Sequence, residues 1–280
     1  LVLVAFAGLV LTLMLMDPAP PKTIRFAAGP PGGAYYTYAE RYQRLLGEQD
    51  VNVTLIQTAG SVENLRLLDE GSADVALVQG GLVTPGDAET LRSLGGLFHE
   101  PFWVFVRDEA GVTDFGQLRD LRMAIGPDGS GTRLLGLDLQ AEFDGVWPAP
   151  ARNSLSGTAA ANALIEGKLD AAAFAASPDA AYVQTLLRAP GISLLPFERA
   201  EALSRRQPAL AAVVLLRGVV DIGADLPAHD VSLVAPVAQL VVRKSLHPAI
   251  EALLVDSASA IHQDGSLFAR AGAFPDPDST

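Results

Sequence analysis

Three short loops carry the residue types from which a binding site could be built. They are Gly32-Gly33-Ala34-Tyr35-Tyr36, Thr58-Ala59-Gly60-Ser61 and Asp128-Gly129-Ser130-Gly131-Thr132. Each stands where a helix is expected to begin. Small residues let a ligand come against the main chain, the first-turn N–H groups have no partner inside their helix, and the helix dipole favours an anion there. The hydroxyls of Ser61, Ser130 and Thr132 add donors. A single Gly-Ser turn is equally well an ordinary helix cap, and it is the recurrence at three equivalent places that favours a ligand. Arg133, just inside the third helix, either pairs with a ligand carboxylate or faces solvent. Tyr35 and Tyr36 either close over a ligand or pack. Gln79 at the end of one strand and Ser177-Pro178-Asp179 after another occupy similar edge positions, and Trp103 reads as core or hinge.

Catalytic patterns fail. Ser130 has glycine directly on both sides, so it is not the serine of a G-x-S-x-G elbow. Gly167-Lys168 runs into Leu169 and forms no phosphate loop, and Gly129-Ser130-Gly131 lacks the third glycine of a dinucleotide fingerprint. The four histidines, His99, His229, His247 and His262, are scattered, which argues against a zinc site. The absence of cysteine excludes disulfides, thiolate metal sites and a cysteine nucleophile. The residues read as those of a binder that needs no metal and no cofactor, not of an enzyme.

The loops must be held by strands and helices, and hydrophobic periodicity supplies both. Strands are expected over Thr23–Ala28, Val51–Gln57, Ala73–Gln79, Arg122–Ile125, Ala171–Ala175 and Ser232–Val242. Helices are expected over Tyr35–Leu46, Ser61–Glu70, Asp114–Asp120, from Thr132, Thr158–Glu166, Asp179–Leu187 and Pro248–His262. Their alternation implies parallel β-α-β units and an α/β fold, with the three loops at the carboxyl edge where such sheets bind ligands. An internal echo points to two similar lobes. Leu68-Asp69-Glu70-Gly71-Ser72-Ala73-Asp74-Val75-Ala76 and Leu164-Ile165-Glu166-Gly167-Lys168-Leu169-Asp170-Ala171-Ala172 share the pattern L-x-E-G-x-x-D-[VA]-A, and each helix opens on Gly60-Ser61 or Gly157-Thr158.

The chain of 280 residues is long enough for two domains, and 49% apolar against 19% charged residues excludes a disordered polymer. Lys and Arg number 20 against 32 Asp and Glu, a net charge of −12 that argues against a nucleic-acid partner. Mean hydropathy is high, at +0.27. Part of it lies in Leu1–Met16, an uncharged run followed by a Pro-rich segment and lacking the small residues of a cleavage site. This run is expected to be an uncleaved membrane anchor.

Four stretches resemble the TAXI-type solute receptors, the extracytoplasmic binding subunits associated with TRAP transporters. They are Ala28-Gly29-Pro30-Pro31-Gly32-Gly33-Ala34-Tyr35-Tyr36, Thr58-Ala59-Gly60-Ser61-Val62-Glu63-Asn64-Leu65-Arg66-Leu67-Leu68, Gly71-Ser72-Ala73-Asp74-Val75-Ala76-Leu77-Val78-Gln79 and Gly126-Pro127-Asp128-Gly129-Ser130-Gly131-Thr132. The resemblance spans Thr23 to His262. It implies a two-lobed periplasmic binding protein type II fold closing on a small carboxylate such as an amino acid or dicarboxylate; the N-terminal hydrophobic helix expected from Leu1–Met16 departs from the many relatives that diffuse freely after signal cleavage. The implied partners are TRAP-type permease subunits, and the implied place is the periplasmic face of the bacterial inner membrane. A membrane-tethered sensor signalling to another membrane protein is the alternative. The implied division is residues 1–21 as anchor and linker, 22–105 as the first part of lobe 1, 106–220 as lobe 2, 221–265 as the return of lobe 1 and 266–280 as a tail. Leu215-Leu216-Arg217-Gly218-Val219-Val220 departs from the family pattern.

Overall fold

The computed structural model describes residues 19–84, 86–143 and 152–278. The expected anchor, Leu1–Met16, lies outside them, and among the described residues no helix is long and apolar enough to cross a membrane. Two units of the same design make up the rest. The first runs β1 (Thr23–Gly29), α1 (Ala34–Gly47), β2 (Asn52–Gln57), α2 (Ser61–Asp69) and β3 (Val75–Gln79), with β1 parallel to both β2 and β3. After β4 (Leu91–His99) and β5 (Phe102–Arg107), the second runs β6 (Met123–Ala124), α3 (Gly131–Glu142), β7 (Arg152–Asn153), α4 (Gly157–Ile165) and β8 (Ala171–Ala175), with β6 parallel to both β7 and β8. Then come α5 (Ala181–Leu186), β9 (Ile192–Leu194), α6 (Ala200–Arg206), β10 (Leu210–Leu215), β11 (Val231–Arg243) and α7 (Pro248–His262).

One sheet has the order β10-β11-β3-β1-β2, with β4 also on β11, and the other has the order β7-β6-β8-β5-β9. Each parallel trio is flanked by an antiparallel strand, β11 beside β3 and β5 beside β8. The helices cover the sheets by ordinary amphipathic spacing. Along α1 the buried side chains are Tyr35, Ala39, Tyr42 and Leu46, three or four residues apart. Gly71 and Gly167 end α2 and α4 in left-handed geometry, with φ of +72° and +74°, as a helix stop before a strand requires.

The sequence echo has a concrete basis. Asp74, just before β3, accepts the backbone N–H of Arg25 (2.8 Å) together with its Nε (3.1 Å) and one terminal nitrogen (2.6 Å). Asp170, just before β8, holds Arg122 in the same three-point way at 2.9, 2.9 and 2.6 Å. The aspartate of L-x-E-G-x-x-D thus fixes the register of the neighbouring parallel strand in both units.

The lobes meet at two strand crossings, and neither lies at the expected boundary. The chain leaves the first sheet at Glu100-Pro101 rather than at 105/106, because Pro101 cannot donate to the ladder and β5 belongs wholly to the second sheet. It returns within β11 rather than at 220/221. Val231, Leu233, Val234 and Ala235 are buried in the second core, whereas Ala238, Leu240 and Val242 are buried in the first. The Glu100 N–H donates to the Pro236 carbonyl at 2.9 Å, tying the two crossings together. Residues 266–278, within the expected tail, brace this junction. Phe268 meets Trp103 of β5 edge-on with ring centroids 5.6 Å apart, Phe274 meets His99 of β4 at 5.1 Å, and Asp276 pairs with Gly96.

Asp74→Ala leaves the Arg25 amide without its acceptor and is expected to cost roughly 1–2 kcal/mol. The half-exposed ion pair itself adds little to that figure. Urea denaturation of the two proteins measures the difference, and a loss well below about 0.5 kcal/mol would mean that water replaces the carboxylate.

Candidate functional site

Four helix starts, two from each lobe, surround one cavity of about 330 Å³ between the lobes. Helix α1 opens after Gly33, α2 after Gly60 and α4 after Ser156, and no side chain caps any of the three. Only α3 is capped, by the Ser130 hydroxyl accepting from the Arg133 N–H at 3.3 Å. Each start follows a strand of a parallel trio, so all four lie at carboxyl edges, where the chain must turn and small residues let it do so tightly. First-turn N–H groups without side-chain acceptors make the wall of the cleft a field of donors.

The two lips touch. A Cβ at Gly131 would run into the Gln79 side-chain oxygen, and one at Gly60 would lie 3.7 Å from the Ser130 Cα. At Gly131 any side chain would displace the Gln79 amide from the lip, whereas at Gly60 the facing contact would be an ordinary one and it is the φ of +131° that favours glycine.

The structure brings together Gly32, Gly33, Ala34, Tyr35, Ala59, Gly60, Ser61, Gln79, Ser130, Gly131 and Thr132 in the cavity wall. Tyr36, Thr58, Gly129, Arg133, Ser177 and Pro178 are not part of that wall. Thr58 is a buried hub whose hydroxyl accepts from the Gly29 and Gly60 amides and donates to Asn64 at 2.5 Å. Tyr36 packs half-buried against the first core, and Gly129 lies opposite Ala59. Ser177 accepts from the Asp179 N–H and shares a hydrogen bond with Tyr38, while the Pro178 carbonyl accepts from Gln184.

Most of the hydroxyls expected to serve a ligand serve the fold. Ser130 Oγ donates to the Pro127 carbonyl at 2.7 Å, Thr132 Oγ1 accepts from the Ala175 N–H at 3.0 Å, and Ser61 Oγ accepts from the Gln79 N–H at 3.0 Å. Arg133, one reading of which was a ligand contact, is occupied in its own lobe. Its Nε donates to the Gly126 carbonyl at 2.9 Å, a terminal nitrogen reaches Ser154 at 3.2 Å, and Asp128 lies 3.3 Å away.

The structure adds wall residues that periodicity did not single out: Gly126 and Pro127, Ser156 to Ala159, Phe174, Tyr182 and Glu100. The start of α4 had a signal, since Gly157-Thr158 echoes Gly60-Ser61. Glu100 had none, because its meaning lies in its burial. It is 3% exposed, and one carboxylate oxygen, Oε2, accepts from the Tyr35 hydroxyl at 2.5 Å. Burial pushes the Glu100 carboxyl up to about 8, against a smaller opposing effect of the Tyr35 hydrogen bond. Burial, then the nearby Glu100 charge, pushes the Tyr35 phenol well above its usual value.

The sign of the resulting pH dependence follows. Glu100 holds its proton more tightly in the fold than in the unfolded chain, so this stabilisation is full below about 4.5 and is lost as pH rises through about 8. Melting of the ligand-free protein across that window is expected to fall more steeply for the wild type than for Glu100→Gln. Parallel profiles would show that the carboxyl is not held protonated.

A sequence profile described as the NMT1-like family matches residues 26–251. Among solved structures the chain is similar to an ancestral arginine-binding protein bound to arginine, with a TM-score of 0.53, 12% identity, and 88% of this chain and 95% of that one covered. It is similar to the alkanesulfonate-binding protein SsuA from Xanthomonas axonopodis pv. citri bound to MOPS, with a TM-score of 0.54, 17% identity, and 87% and 74% covered. The effector-binding domain of QuiR in complex with shikimate gives a TM-score of 0.53, 15% identity, and 86% and 96% covered. At these identities the likeness is one of fold, a mixed α/β two-sheet architecture of the periplasmic-binding-protein kind.

Proposed function

The chain belongs to the NMT1-like family, and we propose that it captures a small carboxylate-bearing solute by closure of its two lobes, as the extracytoplasmic binding subunit of a TRAP-type transporter. One observation carries the binding part of this reading: four helix N-termini from both lobes line one cleft, and three have no side-chain cap. Backbone N–H groups at helix starts bind carboxylates without a formal positive charge. The small molecules named with the similar structures, arginine, MOPS and shikimate, each bear an acidic group. Closure follows from the same geometry. A ligand held by donors of both lobes interacts only with the state in which the lips meet, so it draws the population to that state. The cleft brings donors to a solute and no nucleophile–base pair to a scissile bond, which favours capture over turnover.

The transport role and the periplasmic location rest on the sequence resemblance, and a tether through Leu1–Met16 rests on the uncharged apolar run there. A membrane-tethered sensor is the second reading. It is favoured by the tail, which contacts strands of both lobes and so has a geometry that differs between open and closed states.

A thermal-shift screen of small carboxylates on the purified chain tests the binding reading. At saturation near 100 times Kd, a true ligand is expected to stabilise the fold by about 2.7 kcal/mol and to raise Tm by roughly 5–10 °C. Gly131→Ala, which places a methyl group against Gln79 at the lip, is expected to weaken that ligand at least about tenfold, with a small effect on ligand-free melting. If no small carboxylate shifts Tm, the reading falls.

A further inference from the structure

We infer that Glu100 is the specificity-determining residue of the cleft and that it selects a solute carrying a protonated nitrogen as well as a carboxylate, an amino acid or related amino carboxylate. This rests on the binding reading above and extends it to one side chain.

The cavity wall contains no lysine, arginine or histidine among the described residues, and Glu100 is its one carboxylic acid. That carboxyl is placed firmly. Its own N–H is bonded to the Pro236 carbonyl at the junction of the lobes, Pro101 follows it, and the Tyr35 hydroxyl holds Oε2 at 2.5 Å. Among the described residues no hydrogen bond reaches the other oxygen, Oε1. The groups around the carboxyl are phenols and a hydroxyl. Tyr35 and Tyr38 come from α1, Tyr182 from α5, and Ser61 of α2 stands behind Tyr35. Arg41 and Asp179 act on Tyr38, and no cation acts on Glu100.

A buried carboxylate facing only a phenol is poorly compensated, and its pKa near 8 expresses that cost. A purely structural role gives no reason for the expense. Tyr35 needs only an acceptor, which a glutamine would offer without burying an acid. An ammonium group from the solute supplies the missing partner for Oε1. The rings of Tyr35, Phe174 and Tyr182 line the same wall, and aromatic faces favour a cation. The helix starts then receive the carboxylate, so the two ends of one small zwitterion meet opposite complements. A plain dicarboxylate finds a donor there only while Glu100 keeps its proton, and meets a second anion once that proton is lost.

The proton count separates these ligands. In the empty cleft at neutral pH Glu100 retains its proton, and an incoming ammonium displaces it to solvent. Amino acid binding therefore releases a proton and tightens as pH rises through the Glu100 range, until the ligand amine itself titrates. A carboxylate hydrogen-bonded to protonated Glu100 weakens over the same range.

Calorimetric titration of the full chain with matched pairs is the test: L-alanine and propionate, L-leucine and 4-methylpentanoate, L-glutamate and glutarate. Each is run in buffers of different ionisation enthalpy across the Glu100 range, for the wild type and for Glu100→Gln. At least one amino acid is expected to bind with proton release and its deaminated partner to bind at least about tenfold more weakly. Glu100→Gln is expected to weaken the amino acid on the order of 100-fold. If that variant fails to fold, the wild-type proton count and pH slope decide. Deaminated acids binding as tightly as amino acids, or amino acids binding Glu100→Gln unchanged, would overturn the role of Glu100 and leave the binding reading standing. Binding by neither set overturns both.

Discussion

The hydrogen bond from the Glu100 amide to the Pro236 carbonyl marks where the architecture turns on itself. Two strand crossings join the lobes, β4 into β5 through Glu100-Pro101 and β11 through Pro236, and this bond fastens one to the other. Pro101 withdraws an N–H where β4 gives way to β5, whereas β11 runs unbroken through Pro236 from one core into the other. A Cβ at Gly80 would press on the Val237 carbonyl at 2.7 Å, which shows how closely the β3 edge approaches the same point. The tail lies over this junction, with one aromatic ring on β5 and another on β4, so relative motion of the lobes must be absorbed between Phe268 and Phe274 as well as in the strands.

The electrostatics of the cleft bear little relation to the charge of the whole. A net charge of −12 gives an anionic solute no general attraction. The helix starts act over the last few ångströms instead, where a dry wall and fixed amide dipoles have more effect than screened surface charges. Arginine side chains are engaged elsewhere. Arg25 and Arg122 hold strand register, and Arg133 braces its own loop. The cleft thus presents to a solute main chain that small residues leave exposed.

Much of the fold was legible because local signals agreed. The β-α-β elements of both units other than β7 had periodicity and stopping glycines that pointed the same way, and the extents of β8 and α7 match the expected spans. Elements lacking such signals were not read. The edge strands β7 and β9 are only two and three residues long, and β4 carries Gly95-Gly96, small residues that leave little alternation to detect. The apolar run Leu97–Val106 hid the change of sheet, because strands buried in either core read alike. In the cleft, glycine-rich turns before helices were visible as a pattern. Which hydroxyls are already occupied, where Arg133 turns and what Glu100 faces depend on contacts between residues far apart in sequence.

The repeat of one unit explains what the cleft has in common across its two sides and what it lacks. Each lobe, built as β-α-β-α-β, presents two helix starts at a carboxyl edge, and the duplicated Arg-Asp clamps keep those edges in equivalent register. Such an arrangement offers donors to any small anion and distinguishes poorly among them. Discrimination has to come from a group outside the repeat. Glu100 is that group, since it sits on the segment joining the lobes and is held there by contacts to both the returning strand and α1. Its burial has a cost that neither repeated unit shares, and the asymmetry it introduces is what can make one end of a bound molecule different from the other.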